Sequence, residues 1–188
     1  MQDFIRPEDS DITLSVVMHP EDTNVAGNIF GGKILALMDQ AAYACACKHA
    51  RAPTVTASVN TVNFLTPIYV GDLVTIKARV NYVGSSSMVV GIRVEAENLI
   101  EGHVRHSNSS YFTMVAMEDG KPKKVPGLLL ENVEDVRRFV RSHQRRVEQK
   151  ERMDKYTDKT FTLDKEQLDW CNTQNVKIAE SLLESFTK

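Results

Sequence analysis

Residues 19–49 read HPEDTNVAGNIFGGKILALMDQAAYACACKH, and this stretch decides the fold. Its first half is polar and turn-rich and closes on Gly31-Gly32. Its second half, from Ile34 to Cys47, is apolar except for Asp39 and Gln40. Ala, Leu and Met lose little on entering a helix, and no Gly, Pro or β-branched cluster interrupts them. The stretch therefore predicts a helix that ends near His49, where Arg51-Ala52-Pro53 breaks it. A helix apolar nearly all round is buried on most faces. It is too short, and too soon followed by strand-like sequence, to span a membrane.

Asp39 is the anomaly of that helix. Burying a bare carboxylate costs several kcal/mol or more, so it must be solvated, paired or used. No Lys or Arg lies within a turn of it to neutralise it. One reading has Asp39 reach solvent or bond a backbone amide. The other makes it chemical, because the helix opens on two glycines whose bare amides and positive dipole end suit an anion or oxyanion.

Outward from the helix, Ile12 to Met18 is β-prone, and residues 1–11 read as a loose end. Thr54 to Phe64 is a long β-branched stretch. Val74, Ile76, Ala78, Val80 and Tyr82 alternate with polar residues, and so do Met88, Val90, Ile92, Val94 and Ala96 across the Gly84–Ser87 turn. Such period-two patterning marks half-buried antiparallel strands. His103 to Met117 is the last strand; its first half is polar on both faces, which fits an exposed end or a ligand-facing groove. The result is an α+β domain, an antiparallel sheet wrapped on one buried helix. A single sheet leaves part of such a helix uncovered, which calls for a second copy.

Beyond residue 128 the composition changes, dividing the chain into a domain over 1–128 and a charged helical extension over 129–188. Asn132 to Met153 carries Arg137, Arg138, Arg141, Arg145, Arg146, Lys150 and Arg152. It reads as a solvated helix or packing arm, with a phosphate-binding surface as the alternative. Asp164 caps a last helix predicted to run to about Phe186 with Leu168, Cys171, Ile178, Leu182 and Phe186 on its apolar side. The net charge of −2 gives no support to nucleic-acid binding. Cys45, Cys47 and Cys171 form no disulfide framework or zinc spacing. With no signal peptide or membrane span, the expected compartment is the cytoplasm, and no metal or resident cofactor is expected.

The stretch from His19 to Gln40, with Ser58-Val59-Asn60, Phe64-Leu65-Thr66-Pro67, Val70-Gly71-Asp72, Arg93 to Asn98 and Tyr111 to Ala116, resembles the hotdog-fold acyl-CoA thioesterases, most of all the bacterial and cytosolic acyl-CoA hydrolases. The resemblance implies a sheet around a central helix, dimers assembled as a trimer of dimers, and active sites at the dimer interface. It implies that Asp39 and Asn24 carry the chemistry, meeting across two subunits, with Asp39 serving as general base or, by attacking the thioester itself, as nucleophile. Coenzyme A enters only as part of substrate and product. Gly31 and Gly32 suit the oxyanion. Asn60, Ser85, Ser86, Ser87 and Arg93 are candidates to meet coenzyme A; for Arg93 the competing reading is a cross-strand ion pair, and for Asn24 a plain turn residue. Two other functions compete: a hotdog sensor that binds acyl-CoA without cleaving it, and a dehydratase. The dehydratase needs a site His, which the helix lacks before His49.

Overall fold

Alternating hydropathy over residues 72–98 builds the middle of the sheet. The structure is a computed structural model that describes residues 3–155, 164–171, 173–178 and 180. In it β4 (Asp72–Val83) and β5 (Ser87–Asn98) pair antiparallel, setting Val74, Ile76, Ala78 and Val80 opposite Ala96, Val94, Ile92 and Val90, all of them buried. β6 (His103–Glu118) adds to β5, β3 (Thr54–Val59) to β6, and β2 (Ile12–Val17) to β4, so the order is β2-β4-β5-β6-β3. The sheet curls into a half-barrel around α1 (Gly31–Ala50). Ile34, Leu37, Met38, Ala41, Ala42, Cys45 and Ala46 of α1 fill the curl. Burial pushes the Cys45 thiol up to about 12, so it is packed as an inert apolar group. One stripe of α1 stays uncovered: Ala36, Gln40 and Tyr43 are exposed, and Asp39 is half-buried among them.

Several sequence expectations are corrected. The N-terminal residues are not loose. β1 (Phe4–Ile5) pairs in parallel with β8 (Gly127–Leu128), and a 3₁₀ turn at Pro7–Ser10 buries Pro7 and Ser10. Asp11 accepts two hydrogen bonds from Nε of Arg79, at 2.8 and 3.0 Å. These are long-range contacts that local patterning does not reveal. Tyr82 leaves the core face because Asn81 is the extra residue of a β-bulge. Its ring packs instead on Phe139 at 4.9 Å. β3 stops at Val59, and residues 60–68 continue as a strap beside β6, with the Asn60 and Leu65 amides donating to the Tyr111 and Ser107 carbonyls.

The polar half of β6 is exposed at its end, at His103 and Val104, but not along its whole length. Ser107, Asn108 and Ser110 are buried. Ser107 is a bulge residue whose carbonyl accepts from the Leu65 amide at 2.9 Å, and the Ser110 hydroxyl donates to the Asn60 carbonyl at 3.1 Å. The two serine hydroxyls pin a strap with no ladder of its own, Ser107 donating to the Thr66 carbonyl at 3.4 Å. β7 (Lys121–Pro122) folds back on the end of β6.

The chain forms two compact units, Met1–Gln144 and Arg145–Lys188. The boundary falls inside α2 (Val133–Lys155), which Asn132 caps by accepting from the Asp135 amide at 2.9 Å. In the second unit Asp164 and Gln167 cap α3 (Lys165–Cys171) reciprocally, at 3.0 and 2.9 Å. α3 is shorter than its sequence expectation. The Thr173 amide donates to the Trp170 carbonyl, and residues 173–178 are not helical. The polar run of two Asn, a Thr and a Gln at 172–175 favours turn over helix. Leu182 and Phe186 lie outside the described residues, as does the linker expected over 156–161.

His49 locks the C-terminal end of α1. It is fully buried, its Nε2–H donates to the Pro126 carbonyl at 3.2 Å, and Nδ1 lies 3.4 Å from the Ser10 hydroxyl. Burial holds its pKa below the ordinary imidazole value of 6.5. The unfolded chain therefore binds a proton that the folded one resists. Stability is full above pH 6.5 and falls as the pH drops from there toward the depressed folded value. Unfolding midpoints at pH 7.5 and 5.5 are expected to differ more for wild type than for His49→Gln. Equal differences in the two proteins would refute this role.

Candidate active site

The start of α1 is held open by its neighbours. The Phe30 amide donates to the Asp22 carbonyl at 2.8 Å, and the Ile29 amide to the Ile68 carbonyl at 2.9 Å. Lys33 reaches back to Asp22 at 2.7 Å, which holds that carboxyl below its usual range. Phe30, the cap residue, offers no side-chain acceptor, and among the described residues no group accepts from the Gly31 and Gly32 amides. Glycine leaves room here for two aromatic rings. A Cβ on Gly32 would lie 2.3 Å from the Phe30 ring, and one on Gly31 3.1 Å from Phe64. Two free amides at a helix start form an anion-binding end.

Asn24 stands beside them. Its Oδ1 accepts from the Ala26 amide at 2.9 Å and the Asn28 amide at 3.3 Å. So it is a turn residue, as one reading of the sequence has it. That bonding also orients the amide: Oδ1 is occupied, and Nδ2 is left as a spare donor. Asn24, Asn28, Gly31, Ile34 and the strap from Phe64 to Ile68 line a groove of about 340 Å³.

Asp39 lies eight residues further along α1, about 12 Å from Gly31 at 1.5 Å per residue. It does not line the groove. Its Oδ1 accepts from the Thr56 hydroxyl at 2.6 Å, and among the described residues nothing donates to Oδ2. Thr56 is the residue that sequence reasoning misses. Within a β-branched strand it carries no local mark, and only the packing of β3 against α1 brings it to the carboxylate. The edge of the sheet is β3, so Asp39 and Thr56 face the side where the sheet and the helix are both uncovered.

The remaining candidates are scattered. Arg93 bonds Glu95 at 2.7 Å, and Lys77 bonds the same carboxylate at 2.8 Å, holding it below its usual range. Arg93 is thus ion-paired, but along its own strand instead of across strands; the cross-strand partner of Glu95 is Lys77. In the 84–87 turn the Ser87 carbonyl accepts from Gly84 at 2.7 Å, Ser86 from Ala116 at 2.9 Å and Ser85 from Val125 at 3.0 Å. The turn thus lies at the β7 end of β6, away from the groove. Asn60 bonds β6 through its backbone, donating to the Tyr111 carbonyl at 2.9 Å.

A family model described as the thioesterase superfamily matches residues 26–103. The acyl-CoA thioester hydrolase YkhA of Bacillus subtilis is 36% identical over 146 residues, 77% of this chain and 85% of that protein. The crystal structure of an apo hexameric acyl-CoA thioesterase superposes with a TM-score of 0.77 at 36% identity, covering 80% of this chain and 97% of that one. An acyl-CoA hydrolase from Staphylococcus aureus, solved with butyryl coenzyme A, coenzyme A and coenzyme A disulfide, gives 0.68 at 34% identity, covering 80% and 97%.

The two ends of the Asn24 amide are separable. Asn24→Ala removes the acceptor of two loop amides and is expected to cost about 1 kcal/mol in chemical denaturation. Asn24→Asp keeps that acceptor and is expected to unfold within a few tenths of a kcal/mol of wild type. Equal losses in both variants would show that Oδ1 does not hold the loop.

Proposed function

This chain belongs to the hotdog-fold acyl-CoA thioesterases, a family of thioester hydrolases, and from that premise we propose that it hydrolyses acyl-CoA to a free acid and coenzyme A with Asp39 as general base. The observation that carries the reading is a carboxylate on an apolar helix with one oxygen held by Thr56 and the other free. A thioester needs little help in leaving, because a thiol has a pKa of about 8.5. What it needs is an activated water and an oxyanion site. Oδ2 of Asp39 accepts a proton from water as the oxygen attacks the carbonyl carbon. The carbonyl oxygen, now negative, accepts from the Gly31 and Gly32 amides and from Asn24 Nδ2. The C–S bond then breaks, and the thiolate takes the proton from Asp39.

One chain does not assemble all of this, since the oxyanion donors and Asp39 stand about 12 Å apart along α1. A second copy added at the β3 edge brings its Asn24 and helix start to the Asp39 of the first. Supporting this are the exposed valines Val55 and Val59 of that edge strand and the uncovered α1 stripe next to it. The hexameric relative supports assembly into a trimer of such dimers. The coenzyme A complexes of the S. aureus enzyme support acyl-CoA as substrate. Among the described residues no helix is long and apolar enough to cross a membrane, and the proposed compartment is the cytoplasm.

Free-thiol release from short- to long-chain acyl-CoAs tests the mechanism. Asp39→Asn is expected to lose at least about 100-fold in kcat while remaining folded. Thr56→Val is expected to lose about 10-fold in kcat with KM nearly unchanged, and Thr56→Ser to recover most of it. An active Asp39→Asn enzyme would overturn the assignment of the base. Absence of thiol release from every acyl-CoA would overturn the substrate.

A further inference from the structure

Asn108 is the one polar side chain of its stretch that the fold does not use. From Arg105 to Ser110 the others are all engaged. Arg105 donates to Asp72 at 2.5 Å, and His106 Nε2 lies 2.9 Å from the Ser109 hydroxyl. Ser107 donates to the Thr66 carbonyl at 3.4 Å, and Ser110 to the Asn60 carbonyl at 3.1 Å. Asn108 is 0% exposed, and among the described residues neither Oδ1 nor Nδ2 has a partner. A buried amide unbonded at both ends costs stability, and an apolar side chain of its size would not.

Its position relates it to the groove at the start of α1. Asn108 shares the inner face of β6 with Phe112 and Met114 and lies opposite Val94, all three in the core. That face packs on α1. The strap ties the level of Asn108 to the helix start. Phe64 lies against Gly31, the Leu65 amide bonds the Ser107 carbonyl at 2.9 Å, and Asn108 is the next residue of β6. Phe64, Leu65 and Thr66 wall the groove, so the amide stands behind that wall.

We propose that Asn108 makes this chain select acyl groups that carry a hydroxyl. The inference rests on the reading above that the thioester carbonyl oxygen accepts from Gly31 and Gly32. The carbon chain attached to that carbonyl then enters the groove, because Ile29, Ile34, Phe64, Leu65, Pro67 and Ile68 line it and take up the apolar part of the substrate. Its far end points at the strap and the amide behind it. The side chains between them, Phe64 and Leu65, are exposed and can turn aside without disturbing the core. No charged residue lines the groove, which disfavours an acyl carboxylate or amine. A hydroxyl suits an amide with both ends free, since it donates to Oδ1 and accepts from Nδ2.

Thiol release by the full chain tests this with butyryl- and hexanoyl-CoA against the same chains hydroxylated at each carbon in turn. For at least one hydroxylated substrate, wild type is expected to show a kcat/KM about tenfold above that of its plain counterpart. Asn108→Leu is expected to bring that ratio to about one and to unfold no earlier than wild type. The smaller Asn108→Ala cannot crowd the site and is expected to lose the preference as well. Each ratio is taken within one protein, so a general loss of stability or activity does not move it. A wild type without preference for any hydroxylated chain overturns the proposal, as does a preference that both variants keep. Those outcomes leave the proposed function standing. Absence of thiol release from every substrate would overturn that function and this inference with it.

Discussion

One mismatch governs this molecule: α1 is apolar nearly all round, and a single curled sheet covers only part of it. The sheet buries the side of α1 from Ile34 through Ala46 and leaves the stripe of Ala36, Gln40 and Tyr43 to solvent. Asp39 sits on that stripe, which resolves the cost of placing a carboxylate in such a helix. It is neither buried in the core nor fully solvated. Thr56 satisfies one oxygen, and the open side leaves the other available. The same gap in coverage that calls for a second copy holds the only charge of the apolar run.

The other end of the site depends on the strap. Residues 60–68 run alongside β6 without a ladder, and the Ser107 and Ser110 hydroxyls replace one by bonding the strap's carbonyls. The strap in turn brings Phe64 against Gly31 and aligns Ile68 with Ile29. The buried polar half of β6 thus fixes the groove at the helix start. Asn108 is the exception within that half. It is fully buried, and among the described residues neither of its amide atoms has a partner.

The sequence made much of this legible, for identifiable reasons. The α1 boundaries, the registers of β4 and β5 and the singular status of Asp39 followed from periodicity and from one charge in an apolar run. The β1–β8 pairing, the Asn81 bulge that turns Tyr82 outward, and the Thr56–Asp39 bond did not. Each joins residues distant in sequence by packing, and none leaves a local trace. The polar run from His103 to Ser110 was visible as unusual, but its partner is the strap, which has no pattern of its own. Asn24 shows the opposite case: its turn chemistry was legible, and only the structure reveals that the turn consumes Oδ1 and leaves Nδ2.

That last asymmetry bears on mechanism. An Asn whose carbonyl end were free would orient water by accepting from it. Here the carbonyl end is committed to two backbone amides, so the group that Asn24 offers is a donor, and it stands beside two more donors at Gly31 and Gly32. Three donors converging at one end of a helix stabilise negative charge and do nothing to generate a nucleophile. Asp39, to which we assign the proton, is two turns away on the same helix. A rigid helix cannot bring its start to a residue two turns along it, so in the mechanism we propose base and oxyanion site are complementary halves supplied by two copies. On that proposal the uncovered face of α1 serves the chemistry as well as being a consequence of the packing.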